Sequence, residues 1–172
     1  SLSDFISFGL APSLLINLCF TFKLGQLGWI FSLFYTVCAA LRLARFNIEN
    51  MKEKSTTFFG IPSPAAAGIV MIPIYLTFVD FKYLPINYEI LSTLLLVFSG
   101  AMMISRVPTP SLKSIKLNSL YFRIMIIFVA IILIFLITYF WQTTLVIAFA
   151  YLLLAVFNLF FYFFRFFSTT SR

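Results

Sequence analysis

Six apolar runs, separated by short polar stretches, set the pattern of the chain. They lie at about Leu2–Phe22, Leu27–Arg45, Ala65–Phe81, Tyr88–Ser105, Leu120–Phe140 and Thr143–Phe164. Each is near the roughly 20 residues that a helix needs to cross a hydrocarbon core. Inside lipid the backbone finds no water, so each run must close its own hydrogen bonds as a helix. Pro12 falls inside the first run and predicts a kink, and Pro73 falls inside the third. Membrane helices tolerate both. Pro62-Ser63-Pro64 ends the longest polar stretch and starts the third helix, with Pro64 suited to a first turn. Ala65, Ala66, Ala67 and Gly68 then predict close helix packing. There is no internal repeat and no low-complexity tract. The expectation is an all-α polytopic transmembrane bundle of about six spans, one domain over residues 1–172.

Composition strengthens the membrane reading. Hydrophobic residues make up 62% of the chain and charged residues 10%, against roughly 25% charged in soluble domains. The 24 Phe and 8 Tyr suit lipid-facing surfaces and interfacial belts. A net charge of +7 on a soluble protein would raise nucleic acid as a partner. Here no basic stripe exists to track a phosphate backbone, and nucleic-acid binding is set aside.

The cations instead sort by side. Loops and ends on one side carry Arg42, Arg45, Lys52, Lys54, Arg106, Lys113, Lys116, Arg123, Arg165 and Arg172. The other side carries Lys23 and Lys82. The positive-inside rule makes the first side cytoplasmic and puts both ends of the chain there.

The chain has no His, which removes His-based triads and His metal sites. Its two cysteines, Cys19 and Cys38, sit inside apolar runs. At 1.5 Å per residue Cys19 would lie about 22 Å above Asp4 and Cys38 about 10 Å above Arg45. That difference in depth is too large for a disulfide. Two buried, inert thiols are expected, and two cysteines cannot build a zinc site.

Asp4 opens the first apolar run, and no charge follows it until Lys23. An acid at the mouth of a membrane helix is expensive and tends to be functional. It can act as a general base, a metal ligand or an ion-pair partner, though the helix macrodipole alone would also favour it. Ser7 would lie one turn further on the same face, and Gly9 and Ala11 keep the stretch slim. Arg42 and Arg45, three apart, would share a face at the end of the second helix. They can fork onto phosphate or carboxylate, or snorkel to the headgroups. Asn47, Glu49 and Glu53 read as solvated loop residues. Arg106, with Ser105, Pro108, Ser111 and Lys113, is either a basic loop or a further contact. Asp80 and Glu89 sit at the opposite surface. A coupled transporter would carry charge near the midplane, whereas helices five and six carry none there. The pattern favours an enzyme acting on a lipid headgroup at the cytoplasmic surface.

Several runs of residues now support a resemblance. Ser1-Leu2-Ser3-Asp4 through Pro12 is similar to the end of the CDP-alcohol phosphatidyltransferase motif D-G-x2-A-R-x8-G-x3-D-x3-D, with Asp4 at its last Asp. Ser7-Phe8-Gly9-Leu10-Ala11-Pro12, Leu41-Arg42-Leu43-Ala44-Arg45-Phe46-Asn47, Phe59-Gly60-Ile61-Pro62-Ser63-Pro64 and Met103-Ile104-Ser105-Arg106-Val107-Pro108 resemble its serine-accepting, integral-membrane branch. The resemblance runs from Ser1 to Lys113. It implies transfer of the phosphatidyl group of CDP-diacylglycerol to L-serine, giving phosphatidylserine and CMP. It implies Asp4 as general base and one ligand of a divalent metal, Mg²⁺ or Mn²⁺. Arg42 and Arg45 become phosphate or serine-carboxylate contacts, and Ser7, Asn47, Ser63, Arg106 and Lys113 further substrate-site candidates. A homodimer is also implied.

The D-G-x2-A-R half of the motif is not in this sequence. The expectation is therefore a portion of a longer enzyme, inactive alone, with the remaining metal ligands before Ser1. Two other readings stay open. One is the same family with another acceptor (glycerol phosphate, inositol phosphate) or an archaeal lipid donor. The other is a small membrane transporter or assembly subunit.

Overall fold

A computed structural model of the chain describes residues 2–51, 60–79, 87–105 and 119–170. Every regular element among them is helical. In order these are α1 (Leu2–Phe5), a π-helical stretch (Ile6–Leu10), α2 (Ala11–Cys19), a 3₁₀ turn (Thr21–Leu24), α3 (Gln26–Met51), α4 (Ser63–Val70), α5 (Ile72–Phe78), α6 (Tyr88–Ile104), α7 (Ser119–Thr138) and α8 (Phe140–Thr170). Among the described residues three segments are long and apolar enough to cross a membrane: Leu2–Cys19, Gln26–Ile48 and Phe140–Phe161. Tyr88–Ile104 and Arg123–Thr138 are shorter apolar helices. The expected helical bundle is present.

The two prolines act differently. Pro73 splits the third run, because a proline has no N–H for the ladder and its ring crowds the carbonyl four residues back. The helix breaks at Met71, and Ile74 and Tyr75 both donate backbone N–H groups to the Met71 carbonyl, at 3.0 and 3.1 Å. Pro12 leaves the first run continuous. The turn before it widens instead, so that the N–H of Ala11 reaches back five residues to the carbonyl of Ile6.

Helix ends depart from the apolar runs where no residue stops them. No Gly or Pro follows Arg45 until Gly60, and α3 runs on to Met51. Asn47 and Glu49 are thus on a helix, not in a loop. Tyr139 alone separates α7 from α8. Pro62 caps α4, Pro64 lies in its first turn, and the Ala66 N–H bonds the Pro62 carbonyl at 3.0 Å.

The core is built by α2, α3, α4, α6 and α8. Ile16, Tyr35, Ala39, Ile61, Ala66, Val70, Leu96, Met102, Met103 and Ala155 form its main cluster. The pairing of α3 with α6 is the most extensive, and α7 packs on α8 at the periphery. Burial of small residues holds partly as expected. Ala66 and Ala67 are buried, but Gly68 faces open space. Cys38 is buried and Cys19 is exposed, both as free thiols. Cys19, at the last position of α2, points off the packed face, so only one of the two thiols is buried.

Hydrogen-bonding side chains join the first two spans. The Ser13 hydroxyl donates to the Leu10 carbonyl at 2.8 Å and shares a hydrogen bond with Thr36 Oγ1 at 2.9 Å. Thr21 donates to Asn17 Oδ1 at 3.0 Å with both residues fully buried. Away from lipid-facing surfaces such pairs hold membrane helices in register.

The end of the bundle remote from Asp4 carries aromatic pairs. Phe78 stacks on Trp141 with ring centroids 4.0 Å apart, Phe140 meets Trp141 edge-on, and Phe20 stacks on Tyr88. Lys23 and Glu89 form an exposed ion pair there at 3.3 Å. Amphipathic rings and exposed charges at one level are the signature of a membrane–water interface.

Candidate active site

At the other end, α1, α3 and the start of α4 enclose a cavity of about 430 Å³. Asp4, Phe8, Arg42, Leu43, Phe46, Gly60, Pro62, Ser63 and Pro64 line it. Its size suits a small ligand or headgroup. A larger cavity of about 590 Å³ lies between α5, α6 and α8 and has only aliphatic and Phe side chains on its walls. Of the two, the smaller one has charged and hydroxyl side chains on its wall.

Arg42 is half-buried at the inner wall. Its Nη1 donates to Ser63 Oγ at 2.6 Å, while its Nε is buried without a partner. A buried N–H left unpaired is costly and marks a place where an acceptor can bind. The first turn of α4 borders the same space, and the positive end of its dipole adds to the guanidinium charge. Asp4 lines the same cavity. Lys23–Glu89 is the ion pair among the described residues, so Asp4 and Arg42 share the cavity without an ion pair between them. An anion held by Arg42 and a proton donor approaching Asp4 can share it.

Gly60 and Arg45 fix the floor of this arrangement. Gly60 has φ +78°, and a Cβ there would stand 2.8 Å from the Met103 carbonyl oxygen. Only glycine passes so close to a helix end in that conformation. The Ile61 N–H then reaches the Met102 carbonyl at 3.4 Å. Arg45 Nη1 donates to the Ile104 carbonyl at 3.3 Å, serving one of the carbonyls that the end of a helix leaves without partners. Arg42 and Arg45 leave one helix on one side yet do different things: the first faces the cavity, the second secures the C-terminus of α6.

The remaining candidates divide as follows. Ser63 lines the cavity as Arg42's acceptor. Ser7 is exposed and is not on the wall, whereas Phe8, four residues after Asp4, is. Asn47 is exposed on α3 and also off the wall. Arg106 and Lys113 lie outside the described residues. Phe8, Leu43, Phe46 and the prolines flanking Ser63 were not read from the sequence as cavity walls. The run Gly60-Ile61-Pro62-Ser63-Pro64 was the available signal for the latter.

Among the described residues no group of three metal-binding side chains exists, and Asp4 is the one carboxylate on the cavity wall. Asp4 could supply a single ligand to a divalent cation.

No protein-family model matches the chain. Over 134 residues it is 37% identical to a CDP-diacylglycerol–serine O-phosphatidyltransferase of Helicobacter pylori, an alignment covering 77% of this chain and 55% of that protein. The chain is similar in sequence to CDP-diacylglycerol–serine O-phosphatidyltransferases. The bearer of that name in Methanocaldococcus jannaschii is 37% identical over 110 residues, 64% of this chain and 47% of its own length. The Bacillus subtilis phosphatidyltransferase is 37% identical over 86 residues, 50% of this chain and 44% of its own length. The chain thus spans about half the length of the curated phosphatidyltransferases it matches.

Proposed function

We propose that this chain carries part of the catalytic machinery that transfers a phosphatidyl group from CDP-diacylglycerol to L-serine, yielding phosphatidylserine and CMP. The observation that carries this reading is the one cavity lined by both Asp4 and Arg42, with the Arg42 Nε buried and unpartnered. The names of the relatives supply the substrates.

In this reading Asp4 accepts the proton of the serine hydroxyl. The hydroxyl oxygen attacks the phosphorus that bears the diacylglycerol, a new P–O bond forms, and the P–O bond to CMP breaks with its electron pair leaving on CMP. Arg42 holds a non-bridging phosphate oxygen, where fixed positive charge stabilises the transition state more than the ground state. The lipid tails stay in the bilayer beside the helices. We place the basic end of the bundle at the cytoplasmic surface, on the asymmetry of Lys and Arg. A cavity with its charges at one end, and an aliphatic one elsewhere, suits headgroup transfer better than passage across the midplane.

The test is CMP release by the complete gene product in nanodiscs containing CDP-diacylglycerol. Serine should support release, and glycerol 3-phosphate and inositol phosphate should not. Release with either of the latter and not with serine would reassign the acceptor.

A further inference from the structure

Three contacts join the facing sides of the first two spans. Ser13 meets Thr36 at 2.9 Å. The Tyr35 hydroxyl donates to the Phe8 carbonyl at 2.9 Å. Gly9 packs so tightly on α3 that a Cβ would lie 2.9 Å from Ala39 Cβ. Beyond them Asp4 and Arg42 line one cavity. On α3 the residues Tyr35, Ala39 and Arg42 are spaced four and three apart, so they form one stripe. The contacts lie along the same stripe that ends at Arg42.

The Tyr35 contact has a cause in the sequence. In an α-helix the Phe8 carbonyl would accept the N–H of residue 12. Residue 12 is proline, which has no N–H and whose ring presses on that carbonyl. The turn opens into the π stretch Ile6–Leu10, and Phe8 is left needing another donor. Tyr35, wholly buried, supplies it from the neighbouring helix. π turns recur at functional sites because they rotate the residues on one side of the turn relative to the other. Here the residues so turned are those that carry Asp4, and Phe8 lines the cavity.

We propose that Tyr35 is a positioning residue for Asp4. Its hydroxyl locks the widened turn before Pro12, and so sets how Asp4 is presented to the cavity. The inference rests on the reading of Asp4 as the base. Tyr35 itself does not line the cavity and acts through the backbone of Phe8, which does.

The experiment compares the complete gene product, in nanodiscs, as wild type, Tyr35→Phe, the double variant Tyr35→Phe with Pro12→Ala, and Asp4→Asn. Tyr35→Phe keeps the ring and removes only the hydroxyl. Its kcat for serine-dependent CMP release should fall at least fivefold per folded molecule, with KM for CDP-diacylglycerol within twofold of wild type. Pro12→Ala restores the missing N–H and lets the turn close to the α form. The double variant should therefore stay slow even with its melting temperature at or above that of Tyr35→Phe. Wild-type kcat in Tyr35→Phe would overturn the proposal, as would kcat and melting temperature recovering together in the double variant. Full activity in Asp4→Asn would instead remove the base assignment, whatever Tyr35 does. An inactive Asp4→Asn beside a fully active Tyr35→Phe would sink the positioning role alone.

Discussion

Arg42 donates to Ser63 at 2.6 Å and keeps a second, buried N–H without a partner, and both Arg42 and Asp4 line one cavity. One helix thereby anchors its guanidinium on the next and keeps part of it for a ligand. A planar guanidinium offers its donors in fixed directions, whereas an ammonium is a compact point charge on a flexible stem. Arg42→Lys should keep the charge and lose at least tenfold in kcat/KM for CDP-diacylglycerol, measured by CMP release at limiting donor. Equal kcat/KM would mean that charge alone suffices.

Ser63→Ala tests the anchor separately. Loss of a hydrogen bond to a charged group costs about 1.5–3 kcal/mol. The freed guanidinium should bind the donor less well, so KM should rise severalfold. Detergent-resistant folding should be kept, as seen by size-exclusion chromatography.

Gly60→Ala should be more damaging to the fold than its size suggests. The φ of +78° disfavours any side chain, and the Met103 carbonyl stands where the methyl would go. A strained residue of this kind costs about 1–3 kcal/mol. The melting temperature should fall clearly. An unchanged melting temperature would show that the Gly60 turn relaxes freely.

Arg45→Ala should behave unlike Arg42→Ala. Arg45 serves the Ile104 carbonyl from an exposed position, and a single bond of that kind contributes about 0.5–1.5 kcal/mol or less. A small drop in melting temperature with kcat within threefold of wild type is expected. A loss as large as that of Arg42→Ala would return Arg45 to the substrate site.

Much of this was legible from apolar patterning alone. The all-helical architecture followed from six apolar runs that lipid forces into helices, and Pro64 in the first turn of α4 followed from its missing N–H. Asp4 and Arg42 were selected because charge at the end of an apolar run is costly, and both line one cavity. The misses have local causes. Helical spacing puts both Ser7 and Phe8 on the Asp4 face, and it is Phe8 that lines the cavity. Asn47 was read as loop because apolar character ends near Arg45, but helix propensity continues without a break to Met51. Cys19 was judged buried from an apolar neighbourhood, which in a membrane protein does not separate a lipid-facing position from a core one. Tyr35 carried no signal at all, since its role depends on a carbonyl orphaned in another helix.

The most direct measurement of the central claim is serine-dependent CMP release by Asp4→Asn in the complete gene product. The substitution keeps the shape of the side chain and removes its capacity to take a proton. The account predicts a folded, monodisperse protein with kcat reduced at least a hundredfold, in line with the roughly 10²–10⁴-fold contribution of general bases. Wild-type turnover by folded Asp4→Asn protein would contradict it.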